Sequence, residues 1–244
     1  MPKIKRRFIS IFVLLVIAAA AFLFGWSSIF TVKSIAIIGV DQSEERVINN
    51  RINIKPEVIK IGIPLARVEK RVVASRLLEI PWIKSASVKR NWISQSIQIT
   101  ISKRVPIAVI TNSNGRTFID EEMQLFILPA SNQLISDLSK LPKLTLMDSS
   151  QKSLLAFDQL RQKIGEINPI DINAKSIQVQ SFVVNSAAWS ITELVIDGRN
   201  LKVTWGDNQD LSLKIKVFRE LLQLPENAKI VRMDLTSPLS PIVK

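Results

Sequence analysis

Acid–base or nucleophilic chemistry in this 244-residue chain would have to rest on carboxylates, lysines and hydroxyls, because the chain has no histidine and no cysteine. Ser-His-Asp triads, imidazole catalysis, His-ligated metals, thiolate zinc sites and disulfides are thereby excluded. Two spacings survive that filter. Ser149 and Lys152 stand three apart, as in a Ser–Lys nucleophile pair, but the companion motifs of that chemistry are missing. Asp120-Glu121-Glu122 supplies carboxylates for glycoside cleavage, yet consecutive residues of a turn do not face a common substrate. Only seven glycines occur, and none forms a GxGxxG or GxxxxGK[ST] phosphate cradle. The reading is of a protein without a catalytic site, cofactor or metal.

The elements around those residues begin with an uncharged run from Phe8 to Trp26, preceded by Lys3, Lys5, Arg6 and Arg7. As a helix rising about 1.5 Å per residue, the run matches the ~30 Å apolar layer of a bilayer. Cations before a first membrane helix stay on the cytoplasmic side, so the N-terminus is expected inside and the remainder outside. A cleaved signal peptide is the competing reading, with Ala18 to Ala21 as small residues at which to cut. The apolar run is long for a signal core, and Trp26 suits the outer interface. The chain stays basic once the four tail cations are set aside, which fits anionic lipid, wall polymers or acidic proteins. The orientation argues against nucleic acid as a partner.

Beyond the membrane run, Phe30 to Val40 is rich in Val and Ile and predicts a strand that turns at Gly39. Asp41 or Ser43 would cap a helix over Glu44 to Ile52. A second helix carries Leu65, Val68, Val72, Val73 and Leu77 on one face and ends before Pro81. Ile83 to Arg90 predicts a strand, and Ile97, Ile99 and Ile101 alternate with Gln98, Thr100 and Ser102 in the clearest period-2 pattern. Strand, helix, helix, strand, strand makes a small α+β module ending near Lys103. A strand-rich part follows. Val105, Ile107 and Val109 alternate, Asn114-Gly115 predicts a hairpin turn, and Phe118 to Leu128 returns. A helix over Lys152 to Ile164 buries Phe157, Leu160 and Ile164. Strands follow at Ile177 to Val184, Trp189 to Ile196 and Leu201 to Trp205, the last two joined through Asp197-Gly198. Asp210 would cap a helix with Leu211, Ile215, Phe218 and Leu222 on its buried face. Ile230 to Leu235 predicts a last strand, stopped by Pro238 and Pro241. With no repeat and no low-complexity linker, the two outer modules are expected to abut.

Three segments are similar to the bacterial cell-division family FtsQ/DivIB. The first is Phe30-Thr31-Val32-Lys33-Ser34-Ile35 through Ile38-Gly39-Val40. The second, and most specific, is Leu77-Leu78-Glu79-Ile80-Pro81-Trp82-Ile83-Lys84-Ser85-Ala86-Ser87-Val88-Lys89-Arg90-Asn91-Trp92, with Ile97 to Ile101 and Arg104-Val105-Pro106-Ile107-Ala108. The third is Ile230-Val231-Arg232-Met233-Asp234-Leu235 with Ser237-Pro238. Ser131 to Ala188 matches nothing specific. Ile93 stands where the family usually has proline after the tryptophan, and Lys103 where it often has an acid; both are expected at surface or turn positions. Trp82 and Trp92 are expected in the core or at its edge.

The resemblance implies a cytoplasmic tail over 1–7, a single-pass helix over 8–28, a POTRA (polypeptide-transport-associated) domain over 30–103, an FtsQ-type, mixed but mostly β domain over 104–240, and a tail over 241–244. It implies a septal scaffold in the plasma membrane that binds the FtsB-like and FtsL-like bitopic division proteins. If Ile230 to Ser237 is an open sheet edge, a partner strand would add to it, with Val231, Arg232, Met233, Leu235, Thr236 and Ser237 as contact residues. The same alternation also fits ordinary pairing inside a sheet. A wall-modifying hydrolase and a POTRA-type secretion or assembly component are the rival functions.

Overall fold

The computed structural model describes residues 3–25, 28–54, 58–112, 115–129, 138–148, 150–185 and 189–244. It is α+β and divides into two compact units, the first taking residues 1–104 with 129–131 and the second 105–128 with 132–244. The chain opens with helix α1 (Lys3–Gly25), whose described side chains, 8–23, leave Phe8, Phe12, Leu14 and Leu15 each more than 60% exposed. Among the described residues no helix is long and apolar enough to cross a membrane. The expected span over 8–28 extends through residues 26–27, which lie outside the described set.

In the first unit, β1 (Ser34–Ile38) leads through α2 (Gln42–Ile52) and α3 (Lys70–Leu78) to the hairpin β2 (Ile83–Asn91) and β3 (Ser96–Lys103). The sheet order is β1-β3-β2, β3 lying parallel to β1 and antiparallel to β2. Ile97, Ile99 and Ile101 all turn inward, at most 4% exposed, as their alternation predicts. Asp41 caps α2, accepting from Ser43 and Glu44 backbone N–H groups, and Glu44 returns a carboxylate to the Asp41 N–H. Between β1 and α2 the chain turns at Gly39, where φ is +95° and a Cβ would lie 2.1 Å from the Ile101 carbonyl oxygen. Only glycine fits there.

Two expectations are corrected in this unit. Leu65 and Val68 lie ahead of α3, in a 3-10 turn (Leu65–Arg67) and its extended exit. That break shifts the helical phase, so Val73 and Leu77 are fully buried while Val72 is exposed. Lys103 is more than a surface residue, because its Nζ lies 3.0 and 3.2 Å from the two carboxylate oxygens of Glu44, itself 0% exposed. A buried carboxylate needs such a cation, and the family's acid at this position could not supply it.

Among the described residues the second unit holds a nine-stranded mixed sheet in the order β12-β11-β10-β9-β8-β7-β4-β5-β6. Its strands are β4 (Ala108–Asn112), β5 (Gly115–Ile119), β6 (Leu125–Phe126), β7 (Lys143–Leu146), β8 (Ile177–Val184), β9 (Ser190–Ile196), β10 (Arg199–Gly206), β11 (Arg232–Asp234) and β12 (Ile242–Val243). Helices α4 (Gln151–Gly165) and α5 (Leu211–Gln223) contribute Phe157, Leu160, Ile164, Leu211, Ile215 and Phe218 to the same core as the inner residues of β8, β9 and β10. Trp205 is fully buried there, its Nε1–H donating to Thr192 Oγ1 at 2.9 Å. The Asp197-Gly198 turn has positive φ at both residues, as a tight hairpin between β9 and β10 requires. Asn114 of the other expected turn lies outside the described residues, although Asn112 and Gly115 do pair across it. Asp210 makes no side-chain cap: it adopts a left-handed conformation, and Asp207 instead receives Lys214, a buried lysine of the first turn of α5.

Candidate functional site

Strand β11 runs parallel to β10, with Val203 opposite Met233, and antiparallel to β12, with Met233 opposite Val243. Of the two readings open for Ile230 to Ser237, the structure has ordinary pairing inside the sheet: β11 is flanked on both sides, and the edge belongs to β12. The expected tail over 241–244 contains that strand, because the turn through Pro238 and Pro241 folds the last residues back. Backbone bonds fix the alternation. Residues 231 and 235 bond to β10, through Lys202 N–H to the Val231 oxygen and Leu235 N–H to the Thr204 oxygen. Arg232 and Lys244 exchange both bonds at 3.0 Å, which turns the N–H and C=O of Val243 away from the sheet.

The six expected contact residues divide by face. Met233 and Leu235 are 1% and 0% exposed and belong to the core, so their side chains do not meet a partner. Val231 is 58% exposed, and Arg232 and Ser237 are exposed. Thr236 is half-buried against Gly206; its N–H is held by Asp234, and its Oγ1 is buried without a partner. A cleft of about 320 Å³ opens over the three strands, its lining including Lys202, Arg232 and Lys244 around Asp234. Sequence reasoning missed β12 and this cationic cluster, which joins residues far apart in the chain.

The catalytic spacings gain nothing from the fold. Asp120 is buried and accepts from the backbone N–H groups of Glu122 and Gln124, which makes it the organiser of the turn into β6, not part of a solvated acidic loop. Ser149 lies outside the described residues. The larger cavity, about 1150 Å³, is lined by Lys140, Lys143 and Arg161 and, among the described residues, by no carboxylate. Among the described residues no group of His, Cys, Asp or Glu could hold a metal ion.

Residues 30–104 match the FtsQ-type POTRA domain family. The chain is 23% identical over 108 residues to the cell division protein FtsQ of Salinibacter ruber, a match covering 43% of this chain and 40% of the relative. The chain thus spans about two fifths of the length of that curated relative. The β1-α2-α3-β2-β3 unit is thus a POTRA domain of the FtsQ type.

Proposed function

We propose that the protein is a single-pass plasma-membrane scaffold of the division septum, with its N-terminus in the cytoplasm and its POTRA and β domains outside. The anchor is the uncharged run Phe8 to Trp26, and the cations at positions 3–7 orient it. The POTRA domain takes residues 30–103 and the partner-binding β domain 104–240. The observation that carries the reading is the FtsQ-type POTRA match over 30–104.

In this reading the partners are FtsB-like and FtsL-like bitopic proteins, and one of them adds a strand beside β12. The outward N–H and C=O of Val243 begin the ladder, and Lys202, Arg232 and Lys244 favour acidic side chains on the incoming strand. Val231, Arg232, Thr236 and Ser237 border that position, while Met233 and Leu235 hold β11 to the core. Depletion in the native host tests the function. Filaments or chains of cells are expected; envelope defects with normal septa would replace the division reading with a secretion or assembly role.

A further inference from the structure

Trp82 is buried at 4% exposure, but Trp92, at the tip of the β2–β3 hairpin, is 36% exposed and is followed by Ile93 at 96%. Isolated exposed apolar residues are ordinary on a protein surface. These two are not isolated. The Trp92 ring meets Phe30 edge to face at 6.2 Å, and the turn is bonded to the same segment through Lys33 N–H and the Gln95 oxygen at 2.7 Å. A third segment joins them: Val32 donates to the Ile63 oxygen and Gly62 to the Val32 oxygen, both at 2.9 Å, leaving Ile61 65% exposed on the loop between. Ile29 is 54% exposed beside Phe30. Apolar side chains from three chain segments thus gather at one end of the POTRA domain.

That end is where α1 enters. Three peptide units separate Gly25 from Ser28, so the two Cα atoms lie within about 11 Å of each other. The polar layer of a bilayer is only ~5–8 Å thick on each side of the hydrocarbon. A patch this close to the end of a spanning helix must lie in or against that layer. Its chemistry fits the position, since an amphipathic Trp flanked by aliphatic residues is what the interface selects. Residues 28–34, 58–67 and 91–96 contain Lys33, Lys60 and Arg67 but no Asp or Glu, which matches an anionic lipid surface.

We propose that the β2–β3 hairpin tip, with Trp92 and Ile93, inserts into the outer leaflet of the bilayer in which the run Phe8 to Trp26 is anchored and fixes the POTRA domain against the membrane surface. The proposal rests on α1 being the membrane anchor, and one experiment separates the two. The chain has no cysteine, so single-cysteine variants Leu15→Cys, Ser85→Cys and Ile93→Cys of the full-length protein each carry one environment-sensitive fluorophore. Leu15 and Ile93 are strongly exposed, and Ser85 sits at the far end of β2, so none of the labels disturbs a core. The proteins are reconstituted in phosphatidylethanolamine–phosphatidylglycerol vesicles with or without nitroxide-bearing lipid.

The label at position 93 should show blue-shifted emission and lose intensity to headgroup-level nitroxide. The label at 15 should be quenched from deeper in the bilayer, and the label at 85 should respond to neither. Quenching at 15 with position 93 behaving like 85 overturns the hairpin proposal and leaves the anchor standing. Equal quenching at 93 and 85 overturns it as well, because the tip then has no special contact. No quenching at 15 overturns the anchor reading, and the hairpin proposal falls with it.

Discussion

Proline at two adjacent positions of β11 should have opposite consequences. At Arg232 it removes an N–H that donates to the Lys244 oxygen, and that oxygen keeps its second donor, Val231 at 2.8 Å. The lost bond faces β12, so the cost is about 1–2 kcal/mol, including the constraint on φ. At Met233 the alternation directs the N–H to β10, inside the sheet, and the side chain is 1% exposed. Losing its burial costs about 1.5–3 kcal/mol. The orphaned carbonyl of β10 adds about 1–3 kcal/mol. Together these come to about 2.5–6 kcal/mol, against a domain stability of ~5–15 kcal/mol. With about 2–4 °C per kcal/mol for a unit of this size, Arg232→Pro should lower the thermal midpoint by about 2–8 °C and Met233→Pro by about 5–24 °C. Circular dichroism melts of the full chain in detergent measure both. An Arg232→Pro midpoint at or below that of Met233→Pro would refute the assignment of inner and outer bonds along β11.

Ile99 is fully buried opposite Ile37 and Val88, so Ile99→Asp should cost several kcal/mol and abolish the cooperative melt of the first unit; an unchanged melt would sink its inward placement. Gly39→Ala drives a methyl group onto the Ile101 carbonyl at a left-handed φ and should destabilise by at least about 2 kcal/mol, measured by denaturant titration. Asp41 is held below the usual carboxylate range, first by the Ser43 hydroxyl and then by the Glu44 N–H. It therefore binds a proton more weakly when folded than unfolded, and its stabilising effect is full above about pH 4 and lost as pH falls through the lower folded value. The stability difference between the native chain and Asp41→Asn should shrink across that acidic window; a difference independent of pH would show that the carboxylate is not linked to folding.

Elements whose signal is local were legible in the sequence. Ile97, Ile99 and Ile101 announce both the strand and its inner face, Phe157, Leu160 and Ile164 the buried side of α4, and Asp197-Gly198 a tight turn. Features set by distant neighbours were not. The four residues of β7 are a strand because β4 and β8 lie on either side. The two residues of β12 are one because β11 is there to pair with them. Val68 ends its segment in extended backbone, which no periodicity argument registers, and Lys103 looked superficial until Glu44 lay beneath it. The candidate site was legible in its strand but not in its geometry. The alternation of Val231, Met233 and Leu235 identifies a strand, and only the pairing of 242–244 reveals which strand ends the sheet.

Whether a division protein binds at the C-terminal edge of the β domain is tested most directly by truncation. A chain ending at Lys229 would remove Met233 and Leu235 from the core and test folding instead. A chain ending at Ser240 removes only β12 and its two flanking residues. Tagged full-length and Ser240-terminated chains, both checked for an intact melt, are used to capture bitopic division proteins from native membranes. The full chain should retain an FtsB-like partner and the shortened chain should lose it while remaining folded; equal capture by the folded, shortened chain would contradict the account.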